Sequence, residues 1–274
     1  MRRAELEALA LGLLHGPAEL VPVSSSGHVA AVPWLLRWDV ARWDGARRKE
    51  LEVALHAGTA AALVAVLRPD RVRPLLQAAA FAPPAAVGFL FERRIEQRLG
   101  TPPTLAGGLL IGAAALVLAD RREGSRDDRD AGIVDGLVLG LAQTAALMPG
   151  VSRNGATLSA ARTRGFGRAP ASRLSWEVAL PIVAGASALK VWRVATSLRA
   201  AAAASSGSPN AAASPAVPAA RVRPLALGAA AAFLSTLATA RAIGIERRGP
   251  LWRWAAWRAA LAVAILAVRH NRSR

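Results

Sequence analysis

Seven apolar segments alternate along this chain with short stretches that hold most of its charge. The segments lie at 51–67, 74–91, 104–119, 131–148, 174–196, 222–243 and 251–268. The gaps read RPDRVR at 68–73, ERRIEQR at 92–98, DRREGSRDDRD at 120–130 and RHNRSR at 269–274. Several segments approach the ~20 residues that cross a bilayer, and the shorter ones suit tilted, paired or re-entrant helices. A water-soluble core needs no such repetition. The pattern predicts an all-α, multi-pass integral membrane protein occupying 1–274 as a single membrane domain.

The net charge of +17 raises the question of nucleic acid. The arginines, however, are spread over many gaps and form no single basic stripe tied to a recognition motif. Basic residues beside spans fit the positive-inside tendency and attraction to anionic headgroups, so membrane lipids are the expected partners and nucleic acid is not. Trp34, Trp38 and Trp43, with Trp252, Trp254 and Trp257, are placed as interfacial tryptophans. There is no cysteine, which excludes disulfides and thiolate metal sites. The opening MRRAELEALALGLLHG is interrupted by Glu5, Glu7 and His15 and does not read as a signal peptide. The Ala/Ser/Pro-rich stretch 197–221 reads as a flexible inter-helix loop.

Sliding the chain against itself exposes a repeat. At an offset of 128, Gly12, Leu13, Ala18, Val23, Ser24 and Gly27 fall on Gly140, Leu141, Ala146, Val151, Ser152 and Gly155, and EVAL at 52–55 recurs at 177–180. The chain is expected to hold two copies of one unit, at about 5–119 and 131–268. Paired interrupted segments in two halves of a membrane protein point to a site at the repeat interface, because broken backbone at membrane depth must be satisfied by protein or trapped water.

Both interruptions are rich in polar groups. HGPAELVPVSSSGH at 15–28 supplies His15, Glu19, Ser24, Ser25, Ser26, Gly27 and His28, and MPGVSRNGAT at 148–157 supplies Ser152, Arg153, Asn154 and Thr157. Gly27 and Gly155 permit tight turns whose amides can form an anion nest. The planar fork of Arg153 suits phosphate oxygens. A charge at the centre of a membrane helix costs about 2.5–3.5 kcal/mol, so Glu19 and Arg153 require function or mutual pairing to offset it. In a tight loop, His28 is near enough to Ser25 to act as its general base, with Glu19 binding a cation or orienting His28. Attack by His28, or directly by water, fits the same residues. Glu52 and His56, four apart on one helical face, read equally as a structural pair or as support for the site. Arg162, Arg164, Arg168 and Arg173 read as a solvated face touching lipid phosphates.

GPAELVPVSSSGH, MPGVSRNGAT and the intervening LEVALHAGTAAALVAVLR and PPAAVGFLFERRI resemble the undecaprenyl-diphosphate phosphatase family, the bacitracin-resistance membrane phosphatases. The resemblance runs from about 5 to 268. It implies six transmembrane helices plus two re-entrant helix–loop–helix pairs in an inverted repeat, in the bacterial plasma membrane. It also implies hydrolysis of undecaprenyl diphosphate to the monophosphate carrier of cell-wall synthesis, with a divalent cation, Mg²⁺ or Ca²⁺. Carried over by position, catalysis falls to Glu19, Ser25, His28 and Arg153. Substrate binding falls to Ser24, Ser26, Gly27, Ser152, Asn154 and Thr157, and the metal to Glu19 and His15. The chain departs from the family pattern at His15, where Glu or Gln is usual, and at Asn154, where Ser is usual. The competing expectations are a polyprenyl-phosphate flippase and a lipid-binding homologue without activity. Homodimerisation is left open.

Overall fold

The structure is a computed structural model that describes residues 1–67, 73–205 and 219–272. Ten α-helices are found among them: α1 (Arg3–Leu20), α2 (Ser25–Leu36), α3 (Gly45–Val66), α4 (Pro74–Leu99), α5 (Pro102–Asp120), α6 (Ile133–Ala145), α7 (Arg153–Thr163), α8 (Arg168–Ser205), α9 (Ala219–Thr239) and α10 (Trp252–Arg272). The described residues form no strand, only an isolated bridge between Arg126 and Phe166. Among the described residues, four stretches are long and apolar enough to cross a bilayer: Pro74–Phe91, Pro102–Asp120, Arg168–Ser197 and Ala220–Arg248. Their outer faces carry Leu75, Phe89, Leu90, Ile111, Leu118, Trp192 and Leu234 exposed, a surface suited to lipid and not to water. This is an all-α membrane protein.

Two expectations are revised. The apolar run at 131–148 is not one span. Its helix, α6, has 13 residues, about 20 Å at 1.5 Å per residue, short of a ~30 Å hydrocarbon core. It ends in the turn that carries Pro149 and Gly150, the latter at φ +92°. The stretch 197–221 is not wholly loop. Helix α8 continues through Ser205 and α9 begins at Ala219, as alanine's strong helix preference allows. The remainder of that loop, and most of the 68–73 gap, lie outside the described residues.

Glycine governs how the helices meet. Helix α1 packs along α9, and Gly12 lies so close to it that an added Cβ would fall 2.3 Å from the carbonyl oxygen of Gly228. Helix α6 packs along α4, where a Cβ on Gly140 would lie 2.8 Å from the carbonyl oxygen of Ala80. Small residues of this kind let membrane helices approach closely. Helix α3 also packs on α9 as α8 packs on α4, while α5 meets α10 and α3 meets α8.

The arginines expected on a solvated face have protein partners. Arg162 is 4% exposed and donates to the carbonyls of Phe166 and Arg122. Arg164 and Arg126 hold Asp135, Arg168 holds Asp120, and Arg173 holds Asp128. Carboxylates brought from the 120–135 segment thus neutralise charges that sequence alone leaves facing lipid. Burial alone would raise the Asp128 carboxyl. The hydrogen bonds and charge of Arg173, with help from Arg73, outweigh it and hold the group below the ordinary carboxylate value.

Candidate active site

Helix α1 ends at Leu20, and the turn 21–24 leads into α2. Ser24 caps α2, its hydroxyl accepting from the Gly27 amide at 3.3 Å, with its backbone at φ +74°. That conformation is rare for a residue with a Cβ and costs on the order of 1–3 kcal/mol. The second turn repeats the cap: Ser152 accepts from the Gly155 amide at 3.1 Å. The Ser–x–x–Gly pairs aligned by the 128-residue offset therefore perform the same local task.

The two turns meet. Arg153, first residue of α7, donates from Nη2 to Glu19 Oε1 at 2.9 Å, and the Ser25 hydroxyl donates to the other oxygen of the same carboxylate. One carboxylate thus joins the helix-start arginine of the second turn to the helix-start serine of the first. Asn154 Nδ2 donates to the Leu20 carbonyl at 3.4 Å, and its Oδ1 accepts from Ser175 at 2.9 Å. Thr157, fully buried, bonds Ser175 and the backbone of α7. Ser26 lies 3.3 Å from the Ser24 hydroxyl.

Arg153 keeps an unmet donor. Its guanidinium lies 5.1 Å from the Trp176 ring, and its buried Nη1 has no hydrogen-bond partner among the described residues. The indole N–H of Trp176 is buried and unpartnered in the same way. Unsatisfied buried donors are costly, roughly 1–3 kcal/mol each, and invite an acceptor.

His28 spends its hydrogen bonds away from the Ser25 hydroxyl. The Nδ1 of His28 lies 2.8 Å from the Ser24 carbonyl, an acceptor, so that nitrogen carries the proton. Its Nε2 accepts from the indole N–H of Trp257 at 2.8 Å. Both ring nitrogens are engaged, and the Ser25 hydroxyl bonds Glu19.

His15 lies one turn before Glu19 and is wholly buried. Its ring meets that of His56 edge-on with centroids 4.4 Å apart. Ligand atoms of His15, Glu19 and His56 all lie within 4.8 Å of one another. His56 does not pair with the Glu52 carboxylate. It bonds the Glu52 carbonyl, while the carboxylate bonds Lys49.

Arg258 in α10 escaped sequence reasoning. It is completely buried, donating from Nη2 to the carbonyl of Gly150 at 2.9 Å and from Nη1 to that of Pro22 at 3.5 Å, with further bonds to Leu109 and Gly108. One guanidinium therefore ties the backbones of both turns. A Cβ on Gly112 would sit 1.8 Å from its Nη2, which explains that glycine. The available signal was a single arginine set in the otherwise apolar run AAWRAALAVAILAV.

The chain is 39% identical over 211 residues to an undecaprenyl-diphosphatase of Pelobacter propionicus, covering 68% of this chain and 74% of that protein. It is 36% identical over 208 residues to the undecaprenyl-diphosphatase of Geobacter metallireducens, with 68% and 75% covered. For that of Geobacter sulfurreducens the values are 37% over 212 residues, with 69% and 77% covered. The family model described as bacitracin resistance protein BacA matches residues 8–264, taking in both turns, the His15–Glu19–His56 group and Arg258. With most of its length matched, the chain belongs to the bacitracin resistance protein BacA family.

Proposed function

We propose that the protein hydrolyses undecaprenyl diphosphate to undecaprenyl phosphate and inorganic phosphate, as a multi-pass enzyme of the bacterial plasma membrane. The names of its relatives support the substrate. The observation that carries the chemistry is the buried, unmet Nη1 of Arg153 beside the Glu19–Ser25 pair. Phosphoryl transfer asks mainly for positioning and charge stabilisation. An arriving diphosphate supplies acceptors for both nitrogens of the Arg153 fork and for the first-turn amides of α2 and α7. As Arg153 turns to the phosphate, Glu19 is left as acceptor for the Ser25 proton. The Ser25 oxygen then bonds to the terminal phosphorus, and the bond from that phosphorus to the bridging oxygen breaks, releasing the lipid monophosphate. Water hydrolyses the phosphoserine. Asn154, Thr157 and the Ser24–His28–Trp257 chain hold the turns in place.

The residues present fit a divalent cation, since ligand atoms of His15, Glu19 and His56 lie within 4.8 Å of one another and His15 Nε2 is a buried nitrogen without a hydrogen-bond partner among the described residues. His15, Glu19 and His56 would hold it, and when bound it would neutralise charge on the diphosphate. The two five-helix halves are proposed to be copies of opposite orientation. Exchanging them converts the α1–α9 contact into α6–α4 and α3–α9 into α8–α4, and returns α5–α10 and α3–α8 to themselves.

Phosphate release from undecaprenyl or farnesyl diphosphate by the purified protein in detergent, with Mg²⁺ or Ca²⁺, tests the assignment. Release abolished by Ser25→Ala and by Arg153→Ala is the expected result. Release that survives both removes the turns from the chemistry, and transfer of polyprenyl phosphate across liposomes without cleavage makes the protein a flippase.

A further inference from the structure

The family resemblance brings with it Mg²⁺ or Ca²⁺, hard cations that take oxygen ligands. The donor set on these helices is of a different kind. We propose that His15, Glu19 and His56 form a site for a borderline divalent transition metal of the Zn²⁺ or Co²⁺ class, in preference to Mg²⁺ and Ca²⁺. The inference rests on the phosphatase reading only for what the metal would be used for. The binding site stands on its own geometry.

Two imidazoles and one carboxylate make a three-ligand set of the sort that holds catalytic zinc and leaves a coordination position for water or substrate. The nitrogens are prepared for it. His56 Nδ1 faces the Glu52 carbonyl at 2.8 Å, so it must carry the ring proton, leaving the lone pair on Nε2. His15 Nδ1 lies 2.9 Å from the Thr59 hydroxyl, which in turn lies 3.2 Å from that of Thr236. A hydroxyl accepts as well as donates, and in the tautomer that donates Nδ1–H to Thr59 the lone pair of His15 falls on Nε2. That atom is buried and has no hydrogen-bond partner among the described residues. Oxygen acceptors behind the Nδ1 atoms are the usual support of metal-binding histidines.

Glu19 supplies the third ligand without leaving its neighbours. Each carboxylate oxygen has two lone-pair sites. Arg153 and Ser25 use one on each oxygen, so a further one remains. The ligand atoms lie within 4.8 Å of one another. Bonds of about 2.0–2.1 Å would draw them to separations of about 3.3 Å in a tetrahedral site, a movement within side-chain torsions. From sequence alone, His56 stands between a structural pair with Glu52 and support for the site, not as a metal ligand. It sits 41 positions after His15, on α3, and comes into reach because α1 and α3 both pack against α9.

The test uses the full-length protein in detergent, stripped with EDTA and titrated with Co²⁺. Visible absorption of a nitrogen-containing four- or five-coordinate site should appear at one Co²⁺ per chain, be displaced by Zn²⁺, and resist an excess of Mg²⁺ or Ca²⁺. His56→Ala should abolish the spectrum and weaken Zn²⁺ binding at least ~100-fold by calorimetry, the larger end of what even supporting residues cost. His56→Glu, with an unchanged melting temperature as the check on folding, should shift selectivity toward Mg²⁺ and Ca²⁺. Folded wild-type protein that shows no Co²⁺ spectrum, a spectrum unaltered in His56→Ala, or Co²⁺ displaced by equal Mg²⁺ overturns the proposal. Phosphate release is measured on the same samples. Release without Co²⁺ binding leaves the phosphatase reading intact and removes the metal site, and Co²⁺ binding without release from any lipid diphosphate does the reverse.

Discussion

The turns at 21–24 and 146–152 share a scaffold and divide the chemistry between them. Each starts a helix with a serine cap closed on a glycine three residues later, and each gives a backbone carbonyl to Arg258. The reactive side chains beside each cap differ. The first turn presents a carboxylate and a hydroxyl, Glu19 and Ser25, and the second presents the guanidinium of Arg153. The caps differ too: Ser24 is held at φ +74° and Ser152 at φ −65°. The relaxed turn needs only to aim an arginine. The strained one has to set a hydroxyl against a carboxylate from the preceding helix, and backbone strain of this kind gathers where geometry is dictated by chemistry.

Substitutions test this division of labour. The largest effect is expected at Arg153. Its change to Ala should lower phosphate release by ~10²-fold or more, the cost of a preorganised donor, and Arg153→Lys should recover only part, because the charge returns without the fork. Full activity in either variant would mean that the second turn serves only as scaffold. Arg258→Ala comes next. It strips carbonyls in both turns of a donor and leaves a cavity, a loss of about 3 kcal/mol or more in detergent unfolding. Activity should fall with it, and an unfolding midpoint equal to that of the unaltered protein would show the turns to be held by other means. The caps then separate the two turns. Ser152→Ala should cost about 1 kcal/mol. Ser24→Gly should be nearly neutral in stability because glycine relieves the positive φ, whereas Ser152→Gly has no strain to relieve. Equal losses at the two caps would erase the asymmetry.

The smallest effect lies away from both turns, at Asp128. Its folded-state value is depressed, so the stabilisation from Arg173 is complete above the unfolded carboxylate value of about 3.9 and fades as pH falls through the lower folded value. Melting curves between neutral pH and pH 3 should lose that part of the acid sensitivity in Asp128→Asn. A variant with an undiminished acid response would place its origin in other carboxylates.

Periodic apolar runs and Gly/Ser coincidences made the helices and both turns legible before any coordinates. They could not disclose which side chains meet. Glu19 and Arg153 were each visible as costly charges, but their pairing spans 134 positions. His28 looked like the partner of Ser25 because it is near in sequence. On helix α2, however, it bonds the Ser24 carbonyl and Trp257 of α10, partners that periodicity does not reveal. Arg258, and the approach of His56 to His15 and Glu19, were hidden for the same reason, each gaining its meaning from another helix. The short α6 was masked by apolar residues that run on through its turn.

The place of Arg258 also orders the protein's biogenesis. Arg258 lies 106 positions after Ser152, so it is synthesised after both turns. Neither turn can reach its working shape until α10 has entered the bilayer and brought its cation beneath them. Incomplete chains are accordingly predicted to be inert toward polyprenyl pyrophosphate, however well their earlier helices insert.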